Sequence, residues 1–247
     1  MYNKNKVKIL GIITARKGSK GVKNKNLKKI NGKPLIFYTF DFIKKNKFFH
    51  DTILTTNSDK LIDYSKKFPF IRCPFKRPEY LSKDNSKQED AILHALNWFE
   101  KKHYTPDYIC ILEPTTPFRY KNTFSKAVQI LKNNKIDGVF TITKSRHDPS
   151  LIKTLRKDNL MKNWDLIVNN RQEYPDYFSL TSSAIIIKTS YFKKYKTAIS
   201  SNSKAIVVNA VEGIMIDDKL DFFLVKNLIE KKISSISELN KYIDDLP

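Results

Sequence analysis

Four of the six glycines in this 247-residue chain lie in one stretch near its start, residues 8–36. An apolar run at 7–14 is followed by a basic segment at 15–33, which contains most of these glycines. Glycine is favoured where the backbone turns sharply or approaches a ligand closely. Backbone N–H groups and cationic side chains in such a loop suit an anion. The stretch therefore predicts an anion-binding loop after a first strand, with a basic surface loop as the alternative.

The rest of the chain alternates between strand and helix patterns. Apolar runs predict strands at 7–14, 52–56, 70–72, 108–112, 138–143, 184–187 and 205–208. Amphipathic or capped segments predict one helix that begins at Pro34 and further helices at 59–67, 86–103, 123–131, 219–231 and 235–245. This alternation predicts an α/β fold, a three-layer α/β/α Rossmann-like arrangement with a mostly parallel central sheet. Loops that follow parallel strands meet at one edge, so 15–33, 57–59, 113–119 and 144–148 are expected to form one cleft.

One segment, 145–183, interrupts this rhythm. It is polar, with isolated apolar pairs and two prolines. We expect a small protrusion that packs on a partner subunit, within a single domain spanning 1–247. The chain contains no run of about 18 apolar residues, so no membrane span is predicted. Cys73 and Cys110 show no metal-binding or disulfide spacing, which favours a reducing, cytoplasmic setting.

The formal net charge of +21 admits two interpretations. One is a nucleic-acid-binding protein. The other, which we favour, is a surface rich in scattered lysines, because the lysines form no basic block and accompany no zinc or RNA-binding motif. Such a charge attracts anionic substrates such as nucleoside triphosphates.

Neither common phosphate-binding fingerprint is present, because Gly32-Lys33 precedes proline and no G-x-G-x-x-G occurs. The stretch instead resembles the N-terminal signature of the acylneuraminate cytidylyltransferase family, the CMP-nonulosonate synthetases. The matching segments are Ala15-Arg16-Lys17-Gly18-Ser19-Lys20-Gly21, Lys25-Asn26, Gly32-Lys33-Pro34-Leu35-Ile36, Arg77-Pro78 with Leu81 and Asp84, Leu112 to Arg119, Arg171-Gln172 with Tyr177, and Ile216-Asp217 with Asp221. They occur in family order from residue 13 to residue 222.

The resemblance implies an enzyme of nonulosonate biosynthesis for cell-surface polysaccharide. CTP and a nine-carbon sugar acid would give a CMP-sugar and pyrophosphate, by direct attack of the anomeric hydroxyl on the α-phosphate with Mg²⁺. It also implies a nucleotide-sugar transferase fold and a cytoplasmic homodimer in which 145–183 reaches the neighbour. CTP and the sugar acid would be its partners, with no nucleic acid and no membrane.

The phosphate chemistry and the resemblance together assign roles to individual residues. Catalytic roles fall to Arg16, Lys20 and Asp217. Nucleotide binding falls to Ala15, Arg16, Gly18, Ser19, Lys20, Gly21, Asn26 and Arg77. Substrate binding falls to Glu113, Arg119, Arg171, Gln172 and Tyr177, the last two also being candidates for the dimer contact. Metal binding falls to Asp217 and Asp221. Helix capping by Asp218 and Asp221 is the structural alternative at the last site.

Four positions depart from the family pattern. Met215 replaces the first aspartate of I-D-I-D, and a thioether is a poor Mg²⁺ ligand. The metal would then be bound by Asp217 together with phosphate oxygens and water, or Asp218 or Glu212 would compensate for the missing ligand. Glu113 replaces glutamine, Asn57 stands where aspartate is common, and 181–183 replaces an N-G turn. These departures leave the sugar open among neuraminate, legionaminate and pseudaminate. Another base such as guanine, an ordinary sugar 1-phosphate and a nucleic-acid-binding protein are the alternatives.

Overall fold

The computed structural model describes residues 7–18, 21–133, 135–145, 154–155, 161–162 and 176–244. Its strands are β1 (Ile9–Thr14), β2 (Lys29–Ile30), β3 (Lys33–Pro34), β4 (Asp51–Thr55), β5 (Tyr108–Leu112), β6 (Gly138–Lys144), β7 (Thr154–Leu155), β8 (Met161–Lys162), β9 (Phe178–Lys188) and β10 (Ser203–Val207). Its α-helices are α1 (Leu35–Lys45), α2 (Asp59–Ser65), α3 (Gln88–Lys102), α4 (Lys121–Asn133), α5 (Thr189–Tyr195), α6 (Lys219–Glu230) and α7 (Ile236–Asp244).

Six strands form the central sheet, in the order β10-β6-β9-β5-β1-β4. Five of them run in one direction, and β9 runs antiparallel to both of its neighbours. The mostly parallel sheet is thus confirmed. The predicted strand at 70–72 is reduced to a single bridge between Ile53 and Arg72. Two small antiparallel pairs, β2 with β3 and β7 with β8, lie outside the central sheet.

The boundary of the expected protrusion needs correction. Strand β9 begins at Phe178 and not near 184, so the last six residues of the predicted 145–183 segment belong to this strand, and residues 178–181 pair with β6. The polar residues Thr181 and Ser183 concealed this strand in the sequence. Both are buried, because the Thr181 hydroxyl donates to Thr141 Oγ1 at 2.8 Å and the Ser183 hydroxyl to Glu212 Oε1 at 2.7 Å. Residues 146–153, 156–160 and 163–175 lie outside the described part of the chain.

Alternating side chains of β1 supply both faces of the sheet, as strand geometry requires. Ile9 and Ile13 belong to the core that includes Phe40 of α1 and Phe124 of α4. Leu10 and Ile12 belong to the core on the other face, which includes residues of α3 and α5. The three-layer α/β/α arrangement follows from these two cores. None of the helices in the described ranges is long and apolar enough to cross a membrane.

A third core joins the start of the chain to its end. It brings Val22 and Ile30, which follow β1, together with Ile216 and with Phe222 and Val225 of α6. Each of these five side chains is buried. This core places the glycine-rich loop beside the segment that precedes α6, although nearly the whole chain separates them in sequence.

Candidate active site

A cleft of about 410 Å³ opens where β1 and β5 end. A pocket of this size and polarity suits a small anionic ligand. Six residues predicted from the sequence line it: Arg16, Gly21, Asn26, Arg77, Glu113 and Asp217. The remaining lining comes from Thr14, Lys25, Leu81, Lys83, Asp84, Ser86, Lys87, Gln88, Pro114 and Thr115. The structure therefore brings the glycine-rich loop, the 77–88 segment, the loop after β5 and the segment before α6 to one place.

Backbone contacts fix the first part of the glycine-rich loop. The Ala15 N–H donates to Thr55 O at 3.1 Å, which extends the β1–β4 pairing by one residue. The Lys17 N–H donates to the Asn57 side-chain oxygen at 2.6 Å. The Asn26 amide donates to Arg16 O at 3.4 Å. Asn57 and Asn26 are both buried, and together they hold the N–H and the carbonyl oxygen of the peptide group that joins Arg16 to Lys17.

The second part of the loop presses against the segment before α6. A Cβ atom on Gly21 would lie 2.0 Å from Asp217 O, so only glycine fits there. The Lys25 ammonium donates to Ile216 O and lies 3.5 Å from Asp217 O. Lys25 is only 8% exposed, and burial lowers its pKa, although Asp217, Asp221 and Glu113 oppose this shift. A cation is thus enclosed beneath Asp217.

Two arginines approach the cleft from different positions. Arg16 Nη1 forms an ion pair with Asp84 Oδ1 at 2.7 Å, and both side chains are partly exposed. Arg77 is buried and donates from Nε to Thr55 Oγ1 at 3.0 Å and from Nη2 to Thr55 O at 2.5 Å. Burial, with a smaller contribution from Arg16, lowers the pKa of Arg77 to about 10. It stays charged at neutral pH and adds fixed positive potential to the cleft.

Glu113, the residue after β5, has a defined side-chain position. Its Oε1 accepts a hydrogen bond from Gln88 Nε2 at 2.6 Å. The same Gln88 nitrogen lies 2.8 Å from Thr14 Oγ1 at the end of β1. The main-chain oxygen of Glu113 accepts a hydrogen bond from Arg119 Nη2 at 2.5 Å. Glu113 is therefore fixed by both its backbone and its side chain at the floor of the cleft.

Arg119, predicted to bind substrate, does not line the cleft. Its guanidinium is buried and donates to main-chain oxygens of Glu113, Thr116 and Ser183, at 2.5, 2.5 and 3.2 Å. It also donates to the Thr39 hydroxyl at 3.1 Å. Burial lowers its pKa to about 10. In this structure Arg119 supports the loop after β5 from behind, which differs from the direct contact predicted.

Asp217 and Asp221, the predicted metal ligands, have different positions. Asp217 lines the cleft. Asp221 Oδ2 accepts from the main-chain N–H groups of Asp217 and Asp218, at 2.8 and 3.1 Å. Asp218 Oδ1 in turn accepts from the Asp221 N–H at 2.9 Å, which completes a capping box at the start of α6. The capping alternative thus describes Asp218 and Asp221, and Asp217 is the carboxylate that faces the site.

Glu212 and Asp218, the residues predicted to compensate for Met215, are engaged in other contacts, as is Met215 itself. Met215 Sδ accepts from the Ser182 hydroxyl at 3.3 Å. Glu212 is buried, with its two oxygens bound by the hydroxyls of Ser183 and Thr123, at 2.7 and 2.9 Å. Burial raises the pKa of Glu212. Neither Glu212 nor the capping residue Asp218 lines the cleft.

Several predicted residues lie outside the described part of the chain or away from the cleft. Ser19, Lys20, Arg171 and Gln172 fall in ranges that the structure does not describe. Ala15 is buried, and Gly18 has a φ of 80°, which favours glycine. Tyr177 precedes β9, and its main-chain oxygen accepts from the Ser145 N–H at 2.8 Å. Tyr177 is not part of the cleft lining.

Lys25 and Gln88 are two of the cleft residues that were not singled out as site residues from the sequence. Lys25 is adjacent to Asn26 in the matched motif, which was the available signal. Gln88 opens α3 and gave no signal, because its partners Thr14 and Glu113 are far away in sequence. Both act on neighbouring protein groups, a property that a linear motif does not reveal.

Comparison with known proteins identifies the family of this chain. N-acylneuraminate cytidylyltransferase of Escherichia coli is 28% identical over 92% of this chain, which spans 53% of that protein. CMP-N,N'-diacetyllegionaminic acid synthase of Legionella pneumophila is 28% identical over 91% of this chain and 97% of its own length. A solved CMP:2-keto-3-deoxy-manno-octonic acid synthetase complexed with CTP shares the fold. Its TM-score is 0.67 at 14% identity, over 92% of this chain and 100% of that one. Residues 10–208 match the family model for cytidylyltransferases. This chain therefore belongs to the cytidylyltransferase family.

Proposed function

We propose that the protein transfers a cytidylyl group from CTP to a nonulosonic sugar acid, which gives a CMP-sugar and pyrophosphate. The observation that carries this proposal is the meeting of the glycine-rich loop with Asp217 in one cleft, through Gly21 and Lys25. The two relatives named above, an N-acylneuraminate cytidylyltransferase and a CMP-N,N'-diacetyllegionaminic acid synthase, support the same chemistry.

The cleft suits a triphosphate because its positive groups surround a small polar volume. Arg16, Lys25 and Arg77 line it together with Lys83 and Lys87. Transfer of a nucleotidyl group depends on positioning and on neutralisation of charge at the phosphates. In the proposed reaction Arg16 releases Asp84 to bind phosphate, while Arg77 and Lys25 supply fixed positive charge. Ser19 and Lys20 are proposed to complete the phosphate loop.

The donor set in the cleft is compatible with Mg²⁺. The described residues contain no cluster of three or more His, Cys, Asp or Glu side chains that could enclose a metal ion. Mg²⁺ commonly binds through one or two carboxylates together with substrate phosphates and water, so the single Asp217 carboxylate is a suitable ligand. Bound there, Mg²⁺ would neutralise phosphate charge. Lys25 would keep the Asp217 backbone in position for that contact.

The sugar acid is proposed to be of the neuraminate or legionaminate type, as in the named relatives, with pseudaminate as a further member of the class. It would enter beside Glu113, with Arg171, Gln172 and Tyr177 as proposed contacts. A cytoplasmic homodimer, in which residues 145–177 reach the partner, completes the proposal. Light scattering of the purified protein tests the dimer.

The proposed reaction is tested by release of pyrophosphate. Purified protein is incubated with Mg²⁺, one nucleoside triphosphate (CTP, GTP or UTP) and one acid from a panel of neuraminate, legionaminate and pseudaminate derivatives. Release with CTP and at least one acid, and formation of the CMP-sugar by mass spectrometry, is the expected result. Asp217→Asn serves as the site variant and Asp244→Asn, at the end of α7, as the distant control. Turnover with GTP or UTP alone, or with none of these combinations, would refute the proposal.

A further inference from the structure

The anomeric hydroxyl of the sugar acid must lose a proton when it attacks phosphorus. Three carboxylates among the described residues line the cleft: Asp84, Glu113 and Asp217. Asp84 is paired with Arg16 at 2.7 Å. Asp217 is the proposed metal ligand, and a bound metal ion would withdraw electron density from its carboxylate. We infer that Glu113 is the general base that accepts this proton. The inference rests on the proposed function and adds a catalytic residue to it.

The geometry of Glu113 suits a base. One carboxylate oxygen, Oε1, accepts the Gln88 amide at 2.6 Å, and Gln88 is itself fixed by Thr14. The structure shows no hydrogen bond from the described residues to the other oxygen, Oε2. The main chain of Glu113 is fixed by Arg119. A general base oriented by a second group, with one oxygen available, is the arrangement that proton transfer requires.

Glu113 also lies close to the phosphate end of the cleft. Its carboxylate and that of Asp217 both act on the buried Lys25 ammonium, whose pKa they raise against the larger effect of burial. Lys25 in turn contacts the Asp217 backbone. Glu113 is therefore hydrogen-bonded to Gln88 from α3 and to Arg119 from its own loop, and it shares the cleft lining with Lys25 and Asp217.

Two departures from the family pattern are connected through one arginine. The pattern has an aspartate where this chain has Met215 and a glutamine where it has Glu113. Arg119 Nη2 donates to Glu113 O at 2.5 Å and lies 3.4 Å from Ser182 O, and the Ser182 hydroxyl contacts Met215 Sδ at 3.3 Å. Of these two positions only 113 lines the cleft, so the carboxylate of Glu113 is the one that can reach the substrate.

The proposed step is balanced without a further reactant. The anomeric oxygen forms a bond to the α-phosphorus, and the bond from that phosphorus to the oxygen bridging to the β-phosphate breaks. The hydroxyl proton passes to Glu113 Oε2 and from there to water. The electron pair of the broken bond leaves with pyrophosphate.

The test compares Glu113→Gln, Glu113→Ala and the exchanged double variant Glu113→Gln/Met215→Asp, with Glu230→Gln on α6 as the distant control. Glutamine keeps an acceptor for Gln88, so the fold should be unchanged by circular dichroism and thermal midpoint. We expect kcat to fall about 10²–10⁴-fold in Glu113→Gln, the range typical of a lost general base. The Kd for CTP with Mg²⁺, from isothermal titration, should stay within about threefold.

Chemical rescue provides the readout that a structural role would not affect. Added formate, acetate and propionate should restore turnover of Glu113→Ala in the order of their basicity, whereas chloride should not. Because position 215 does not line the cleft, its aspartate in the double variant should not replace the base, and kcat should stay within about threefold of Glu113→Gln. Unchanged kcat in Glu113→Gln, a loss confined to CTP–Mg²⁺ affinity, or a changed preference among sugar acids at full kcat would each overturn the inference. All three outcomes require an active wild-type enzyme, so they are distinct from failure of the proposed function.

Discussion

The α-position of Gly21 and the main-chain oxygen of Asp217 lie so close that a methyl group on Gly21 would be 2.0 Å from that oxygen. This contact joins the glycine-rich loop to the segment before α6. Gly21→Ala should therefore displace one of the two segments. Overpacking of this kind costs about 1–3 kcal/mol of folding free energy. We expect the apparent KM for CTP to rise at least about tenfold, equivalent to about 1.4 kcal/mol.

Steady-state kinetics and urea denaturation measure the two effects of Gly21→Ala. Gly32→Ala is the matched control, because Gly32 has a φ of 73° and no atom within 4 Å of an added Cβ. It should cost about 1–2 kcal/mol through backbone strain alone and leave KM unchanged. An unchanged KM for CTP in Gly21→Ala would show that the contact is not required by the site.

In the proposed reaction, the Arg16–Asp84 ion pair opens before Arg16 binds phosphate. Exposed pairs of this kind contribute about 0.2–1 kcal/mol. Asp84→Asn should therefore strengthen CTP binding by up to about fivefold at low ionic strength, with a smaller gain at high salt. Isothermal titration at two salt concentrations measures this, with Asp63→Asn, from the exposed Lys66 pair, as the control. Weaker CTP binding in Asp84→Asn would instead indicate that Asp84 itself contacts the ligand.

Arg119→Met tests the supporting role of the buried arginine. The variant removes the guanidinium donor from the main-chain oxygens of Thr116 and Ser183, whereas Glu113 O keeps the Thr116 N–H as a donor. Buried unsatisfied groups cost about 1–3 kcal/mol each, so we expect a loss of at least about 2 kcal/mol in unfolding free energy. The control is Arg72→Met, whose partner Asp51 lies at the surface end of β4. A stable variant with a raised KM for the sugar acid would restore the direct contact predicted from the sequence.

Glu212 makes stability depend on pH. Burial raises the pKa of Glu212 in the folded protein above its ordinary value, so the folded state binds its proton more strongly than the unfolded state does. This contribution is fully present below the unfolded pKa and is lost as pH rises through the folded pKa. The unfolding free energy of wild type relative to Glu212→Gln should increase as pH falls from 8 toward 5. Chemical denaturation at several pH values measures the difference, and a constant difference would contradict the prediction.

Local pattern predicted the elements that carry the site. The run at 108–112 and the helix that ends near His103 are confirmed as β5 and α3, because each has the full period of its element. The direction of β9 was outside the reach of pattern, since an apolar run reads the same in a parallel or an antiparallel strand. Its polar residues Thr181 and Ser183 also resemble a loop until their buried partners are known.

The composition of the site was more predictable than the function of each residue in it. Motifs identified Arg16, Arg77 and Asp217 as residues of one cleft, because loops after parallel strands share an edge. The motifs did not distinguish Arg119 from Arg16 and Arg77. Arg119 carries the same charge, but it lies behind the wall of the cleft, where its guanidinium donates to main-chain oxygens. Burial and hydrogen-bond partners decide that difference, and both depend on the whole fold.

The insertion of β9 between β5 and β6 has a consequence for the order in which the chain assembles. Strands β4, β1 and β5 are consecutive neighbours that come from the first half of the chain. All three have been synthesised before β9 appears, whereas β6 has no partner in the sheet until β9 or β10 emerges. Pairing of distant segments is slow because chain closure must come first. The loops that carry Arg16 and Glu113 therefore follow strands that can pair early in synthesis, whereas Asp217 belongs to a segment that is synthesised after the last strand of the sheet.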